Sequence, residues 1–313
     1  MPTVTPLQGG YHCIDLEFQG RPGVVAAYLL GDSGELALIE IGPTSTLDTL
    51  LAALKRIDVQ PEAISKVLVT HIHLDHAGAA GTFLRRFPQA HLFVHERGTP
   101  HLIDPTRLLS SATRIYGALM DPLWGPVDPV PQDRLTALSD GDTVTIGRRE
   151  ITALYTPGHA SHHVAFHDPA HRSVFAGDVA AVRLQGIQHI RPPTPPPDVD
   201  LELWSQSLDR LRGLDAAVLY LTHFGPSTSV GWHLDEARKR LYAWAEFVEQ
   251  RLQRGEESSQ IAEAIRDQDN AELRQITDDP AILERYELGA FVGMSVDGLI
   301  RYLTKRGAVR PPV

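Results

Sequence analysis

At 313 residues, 42% hydrophobic and 22% charged, the chain has room for one large or two ordinary domains and the composition of a globular protein with a substantial core. A formal net charge of −10 argues against a nucleic-acid backbone as main partner, since such proteins carry a basic stripe, and no run approaches the roughly 20 apolar residues that span a bilayer. Cys13 is the single cysteine, which excludes an internal disulfide, and no cationic stretch leads into an apolar one at Met1 to Leu7, so the cytoplasm is the expected location.

Alternation and turn chemistry predict strands over residues 11–18, 24–30 and 36–41, with Gly31-Asp32-Ser33-Gly34 as a turn. Cys13 lies in the first and reads as a small buried hydrophobe. Leu47, Leu50, Leu51, Leu54 and Ile57 set a helical period across 44–57. A short β run, 64–69, leads into a histidine-rich block, and 76–87 reads as helical. Residues 106–120 carry Leu108, Leu109, Ile115, Tyr116, Leu119 and Met120, with Trp124 just beyond. This helix either walls a pocket or packs on the core or on a second subunit of a homodimer. Further strands are predicted at 144–146, 151–155, 164–166, 174–176 and 217–221, with a helix at 201–211. Residues 191–197, rich in proline, form a stiff connector or a pocket wall. From Val230 onward the pattern is mostly helical, including 286–302. The expected organisation is a core over 1–230 and a helical appendage over 231–313.

Seven ligand-type side chains fall into four blocks: His71, His73, Asp75 and His76; then His159; Asp178; and His223. Each block follows a predicted strand, where α/β folds place their chemistry. His71 and His73 are two apart in extended chain, point the same way and can reach one ion. Asp75 and His76, where the chain turns into a helix, are offset toward a second. Five imidazoles and two carboxylates suffice for two divalent ions while leaving positions open for water and substrate, as a catalytic site requires. His162, His163, His167 and His171 read as surface imidazoles or as contacts around the ligands. His189, Tyr116, Trp124 and Phe224 are candidates to touch substrate.

The pattern resembles the metallo-β-lactamase superfamily, in its glyoxalase II-like dinuclear branch, over about residues 10–230. The His-x-His-x-Asp-His signature stands as His71, His73, Asp75 and His76, and the later ligands match His159, Asp178 and His223. The resemblance implies an α/β fold, an αββα sandwich of two mixed sheets with metals at one edge; a helical tail belongs to only some members. It implies one ion on His71, His73 and His159, a second on Asp75, His76 and His223, and Asp178 between them. Zinc is the expected metal, with iron or manganese as alternatives. Some positions depart from the family. Glu40 stands in Leu38-Ile39-Glu40-Ile41-Gly42 where an aspartate is usual, and is expected to support the ligands. Val179, Ala180 and Ala181 follow Asp178, where acyl-homoserine lactonases carry a tyrosine. True β-lactamases lack the bridging Asp and are exported. The tail shows no basic cluster of the kind glyoxalase II uses for glutathione.

The expected activity is hydrolysis of an ester-like bond (thioester, lactone, other carboxylic ester or phosphoester) in a small, partly apolar substrate. A hydroxide bridging the two metals is the nucleophile, and Asp75 holds it and later carries a proton. One rival reading is an oxidoreductase of the persulfide dioxygenase type, with a single iron on His71, His159 and Asp178. The other is a non-catalytic binding module on the same fold.

Overall fold

The computed structural model describes residues 2–308. Its first half is a seven-stranded sheet in sequence order: β1 (Val4–Pro6), β2 (Tyr11–Asp15), β3 (Ala26–Asp32), β4 (Glu35–Ile39), β5 (Ile64–Leu68), β6 (His91–His95) and β7 (Leu135–Leu138). The pairs from β1 to β4 are antiparallel; β4, β5, β6 and β7 run parallel. Parallel neighbours need crossovers. These contain α1 (Leu47–Arg56), α2 (Leu74–Ala77), α3 (Ala80–Arg86), α4 (Thr99–Ile103), α5 (Thr106–Tyr116) and α6 (Met120–Trp124).

The second sheet has six strands in the order β13-β12-β11-β10-β9-β8. They are β8 (Thr143–Ile146), β9 (Arg149–Tyr155), β10 (Val164–Asp168), β11 (Ser173–Phe175), β12 (Val218–Leu221) and β13 (Gly225–Ser227). Between β11 and β12 lies α7 (Leu201–Arg212), whose first turn is capped by the Asp200 carboxylate accepting from the Leu203 amide at 2.9 Å. Then follow α8 (Val230–Gln253), α9 (Ser258–Arg274), α10 (Pro280–Gly289) and α11 (Val292–Lys305).

The strand pattern of period two sorts side chains into layers. From β2, Cys13 points between the sheets while Ile14 points to the helical side. Tyr11, Tyr28, Phe175 and Tyr220 meet edge-on in the layer between the sheets. α1 and α3 bury Leu47, Leu50, Leu54, Phe83 and Leu84 on the outer face of the first sheet. On the other side, α7, α8, α9 and α11 form one apolar cluster with Val174, Ala176 and Leu219 of the second sheet. The result is the four-layer αββα sandwich, with the C-terminal helices fused to its outer layer. Among the described residues, no helix is long and apolar enough to cross a membrane.

Several expected bounds shift. The first strand stops at Asp15, because Phe18–Gly20 makes a 3-10 turn. The helix expected over 76–87 starts at Leu74 and divides into α2 and α3. The one expected over 106–120 ends at Tyr116, and 286–302 breaks at Ala290, whose extended backbone separates α10 from α11. β6 and β7 were not among the expected strands, although they are as long as β5 and β8, which were.

Candidate metal centre

Strand direction brings the four blocks together. In the second sheet β9 and β11 both run antiparallel to β10, and β12 runs parallel to β11, so the ends of β9, β11 and β12 lie on one edge. His159, Asp178 and His223 follow those three ends. β4 and β5 are parallel in the first sheet, and Glu40 and His71 follow them.

Two groups of ligand atoms result. His73 Nδ1 lies 3.0 Å from both His71 Nε2 and His159 Nε2. On the other side, His223 Nε2 is 3.4 Å from Asp75 Oδ2, and His76 Nε2 is 3.9 Å from Asp75 Oδ1. Asp178 stands between the groups. Its Oδ2 is 3.4 Å from His159 Nε2, while Oδ1 is 3.3 Å from His76 Nε2 and 3.5 Å from His223 Nε2. Tetrahedral zinc with bonds of about 2.0–2.1 Å sets its ligand atoms about 3.3 Å apart. The separations within each group fall around that value.

The opposite ring nitrogens decide which atoms face inward. His159 Nδ1 donates to the Pro193 carbonyl and His223 Nδ1 to the Val24 carbonyl, each at 2.8 Å. His76 Nδ1 donates to Glu40 Oε1 at 2.9 Å. Thr70 gives its hydroxyl proton to Glu40 Oε1 at 2.6 Å, leaving its oxygen to accept from His71 Nδ1 at 3.0 Å. Four imidazoles therefore turn Nδ1 outward and Nε2 inward, the orientation that a metal ligand needs. His76 Nε2 and His223 Nε2 are buried without a hydrogen-bond partner. An orphaned buried nitrogen facing a carboxylate is costly unless a cation fills the gap, so the residues fit a divalent metal.

Charge balance differs between the groups. Burial holds His71 well below the usual imidazole range and His73 down to about 3, so both are neutral. Burial also lowers His76 and His223, but the carboxylates around them outweigh it and hold both above that range. Burial pushes Asp75 and Asp178 up, yet the imidazoles win. Asp75 is held down to about 2 and Asp178 well below the carboxylate range.

Glu40 accepts from Thr70, His76 and Thr222. Its φ of 63° is left-handed, a sparsely populated region for a non-glycine residue. Gly177, at φ 53°, admits the close approach of His163 and Thr70, both of which a Cβ would meet at 2.6 Å. His163 Nε2 in turn accepts from the Asp178 amide at 3.1 Å. His162 is buried and stacks at 6.1 Å on His71. His171 lies elsewhere, paired with Asp168 at 3.0 Å.

A cavity of about 280 Å³ opens on Asp75, Asp178, His73 and His159. Tyr116 and Trp124 line it, as do Pro193 and Pro195 to Pro197 of the polyproline stretch. Phe291 and Met294, at the start of α11, also line it. His189 and Phe224 do not, contrary to expectation. The His189 ring is buried and turned to Asp269 on α9, 2.8 Å away, because the buried Arg191 and Asp269 anchor that segment to the tail. Phe224 lines a separate cavity with Thr3, Asp15 and Arg285. Sequence reasoning missed Arg97, His101 and Arg107 on the rim. β6 is parallel to β5, so the loop after it also reaches the ligand edge; that strand was the missing signal.

A sandwich with histidines and aspartates gathered at one edge defines a class of metal-binding α/β proteins. The family model of the metallo-beta-lactamase superfamily matches residues 20–223, and the chain belongs to that superfamily. It is 24% identical over 219 residues to a metallo-beta-lactamase fold-containing protein of Sulfurisphaera tokodaii, covering 69% of this chain and 78% of that one. It is 29% identical over 257 residues to a hydroxyacylglutathione hydrolase of Maricaulis maris, covering 81% and 82%. An atrochrysone carboxyl ACP thioesterase of Aspergillus fumigatus is 28% identical over 211 residues, covering 65% of this chain and 53% of that one. Among solved structures, a metallo-beta-lactamase family protein from Thermus thermophilus superposes with a TM-score of 0.68 at 22% identity. That match covers 99% of this chain and 95% of the other, so the shared fold includes the helical tail.

Proposed function

We propose that this chain hydrolyses an ester-like bond, with a thioester as first candidate, using two divalent ions held by the seven ligands. The carrying observation is Asp178, whose two oxygens face different groups of imidazole nitrogens beside an apolar cavity. His71, His73 and His159 would hold one ion, Asp75, His76 and His223 the other, and Asp178 both. Such ions polarise an acyl oxygen and lower the pKa of a water between them toward about 7.

The chain's own groups supply the rest. Asp75 is 22% exposed on its cavity side, so its carboxylate can take the proton lost by the attacking water and return it to the leaving thiolate or alkoxide. Leu108, Ala112 and Tyr116 of α5 shield an apolar acyl chain from water, and the cavity's size suits a small molecule. The hydroxyacylglutathione hydrolase and thioesterase relatives favour a thioester over the other ester-like bonds. The test is metal quantification on the purified chain, followed by thioester, lactone and phosphoester substrates. Two zinc ions per chain and thioester turnover are expected. One iron per chain with oxygen uptake would replace this reading by the dioxygenase one.

A further inference from the structure

The cavity has two chemistries. Its body is apolar, formed by Leu108, Ala112, Tyr116, Phe291 and Met294, while its rim carries Arg97, His101 and Arg107. Arg97 follows β6, and Arg107 is in the first turn of α5; both are exposed. The Arg97 guanidinium lies over the Tyr155 ring, 5.5 Å from its centre. Among the described residues, neither guanidinium has a carboxylate within ion-pair distance. Exposed arginines elsewhere divide, Arg148 and Arg172 pairing with Asp32 and Asp215 while Arg56, Arg114 and Arg254 have no such partner among the described residues; what sets Arg97 and Arg107 apart is that both line the cavity. The nearby carboxylates accept from other donors, although the charge of Arg107 also reaches Asp104. Asp104 Oδ1 accepts from the amide and hydroxyl of Thr106 at 3.1 and 2.6 Å. Asp198, which also lines the cavity, accepts from the Ser161 hydroxyl at 2.5 Å.

We propose that the substrate carries an anionic oxygen group, carboxylate or phosphate, set off from its scissile bond by an apolar stretch, and that Arg97, His101 and Arg107 bind that group at the rim. This rests on the hydrolase reading for the bond but not for the ligand. A guanidinium presents a fixed fork of donors matched to carboxylate and phosphate oxygens. An open, partly apolar cleft also focuses the field of two such charges on an incoming anion.

Three thioethers, which cannot be hydrolysed, test the inference by titration calorimetry on the full chain: neutral S-octyl-N-acetylcysteamine, S-(7-carboxyheptyl)-N-acetylcysteamine with a carboxylate on the acyl side, and S-octyl-coenzyme A with phosphates on the thiol side. At least one anionic ligand should bind about tenfold tighter than the neutral one, and the arm that wins tells which side of the bond the rim reads. The preference should vanish in Arg97→Gln/Arg107→Gln, halve on a logarithmic scale in either single variant, and weaken with added salt. Equal affinity for all three, failure of both anionic ligands to bind, or a preference that survives in the double variant would overturn the inference. The matching thioesters separate the two readings. Turnover without charge preference removes the anion site alone, whereas charge-selective binding with no turnover of any ester removes the hydrolase alone.

Discussion

Asp178 and Glu40 do different work with the same functional group. Asp178 faces the ligand nitrogens directly, so Asp178→Ala should abolish activity and at least one metal while circular dichroism stays that of the wild type. Full metal content with normal turnover would reduce Asp178 to a turn residue. Glu40 acts one contact further out, fixing the His76 ring and, through Thr70, the His71 ring. Glu40→Gln should weaken metal affinity about 10- to 100-fold by competition with a chelator, since an amide cannot balance charge and its NH₂ cannot accept. Protons enter the same accounting. His76 and His223 have raised pKa values in the metal-free chain, because Asp178 and Asp75 outweigh burial. Each therefore holds a proton below its raised value and must lose it to bind a metal. Affinity should rise with pH, and zinc added at pH 7 to an unbuffered sample with an indicator dye should release at least about one proton per chain. Uptake without release would contradict the charge balance.

At the scale of elements, the polyproline stretch couples the tail to a ligand. The Pro193 carbonyl holds the His159 ring, while Thr194 next to it donates its hydroxyl to the Ser295 carbonyl of α11 at 2.8 Å. α11 can come so close only because Gly298 has no side chain; a Cβ there would run into the Thr194 carbonyl and Pro195. Gly298→Ala should cost about 1–3 kcal/mol by overpacking and, on the proposed function, also weaken metal binding at the group of His71, His73 and His159. Gly293→Ala, on the same helix with open space around it, should instead match or exceed wild-type stability. Thermal melts and chelator titrations on both variants distinguish coupling from a general response of α11.

Across the whole molecule, the tail is bound to the core by charge as well as by apolar contact. Arg191 is fully buried and pairs with Asp269 of α9 through Nε at 2.9 Å and Nη2 at 2.5 Å, with His189 on the same carboxylate. Removing one partner of a buried pair costs up to about 3–5 kcal/mol, and less here because Glu287, 3.3 Å from Arg191 Nη1, still faces the guanidinium. Asp269→Asn should therefore lower the melting temperature by several degrees. Burial raises the Asp269 pKa, but His189 and Arg191 outweigh it and leave it depressed. Its contribution is thus present above the ordinary carboxylate range and lost as pH falls through the folded value. The wild-type advantage over the variant should shrink toward acid; an advantage unchanged down to pH 2 would place the interaction elsewhere.

The ligand blocks, the sandwich and the strands around them were legible in sequence, because a dense His/Asp block at a strand end and period-two alternation are local signals. Glu40 was picked out only through the resemblance, as the carboxylate standing where the family usually has an aspartate. Where His189 and Phe224 point was not legible. Both follow the ligand blocks in the chain, yet side-chain direction depended on Asp269, 80 residues on, and on the turn between β12 and β13. The rim arginines follow β6, a strand not picked out from the sequence although it is as long as β2, β4 and β5. What the sequence determined by itself was the donor set, since metal chemistry depends on residue type and spacing along short segments. The tertiary structure alone decided which nitrogen of each imidazole faces inward, what lines the cavity and how the tail reaches His159, because those depend on contacts between segments that are remote in the chain.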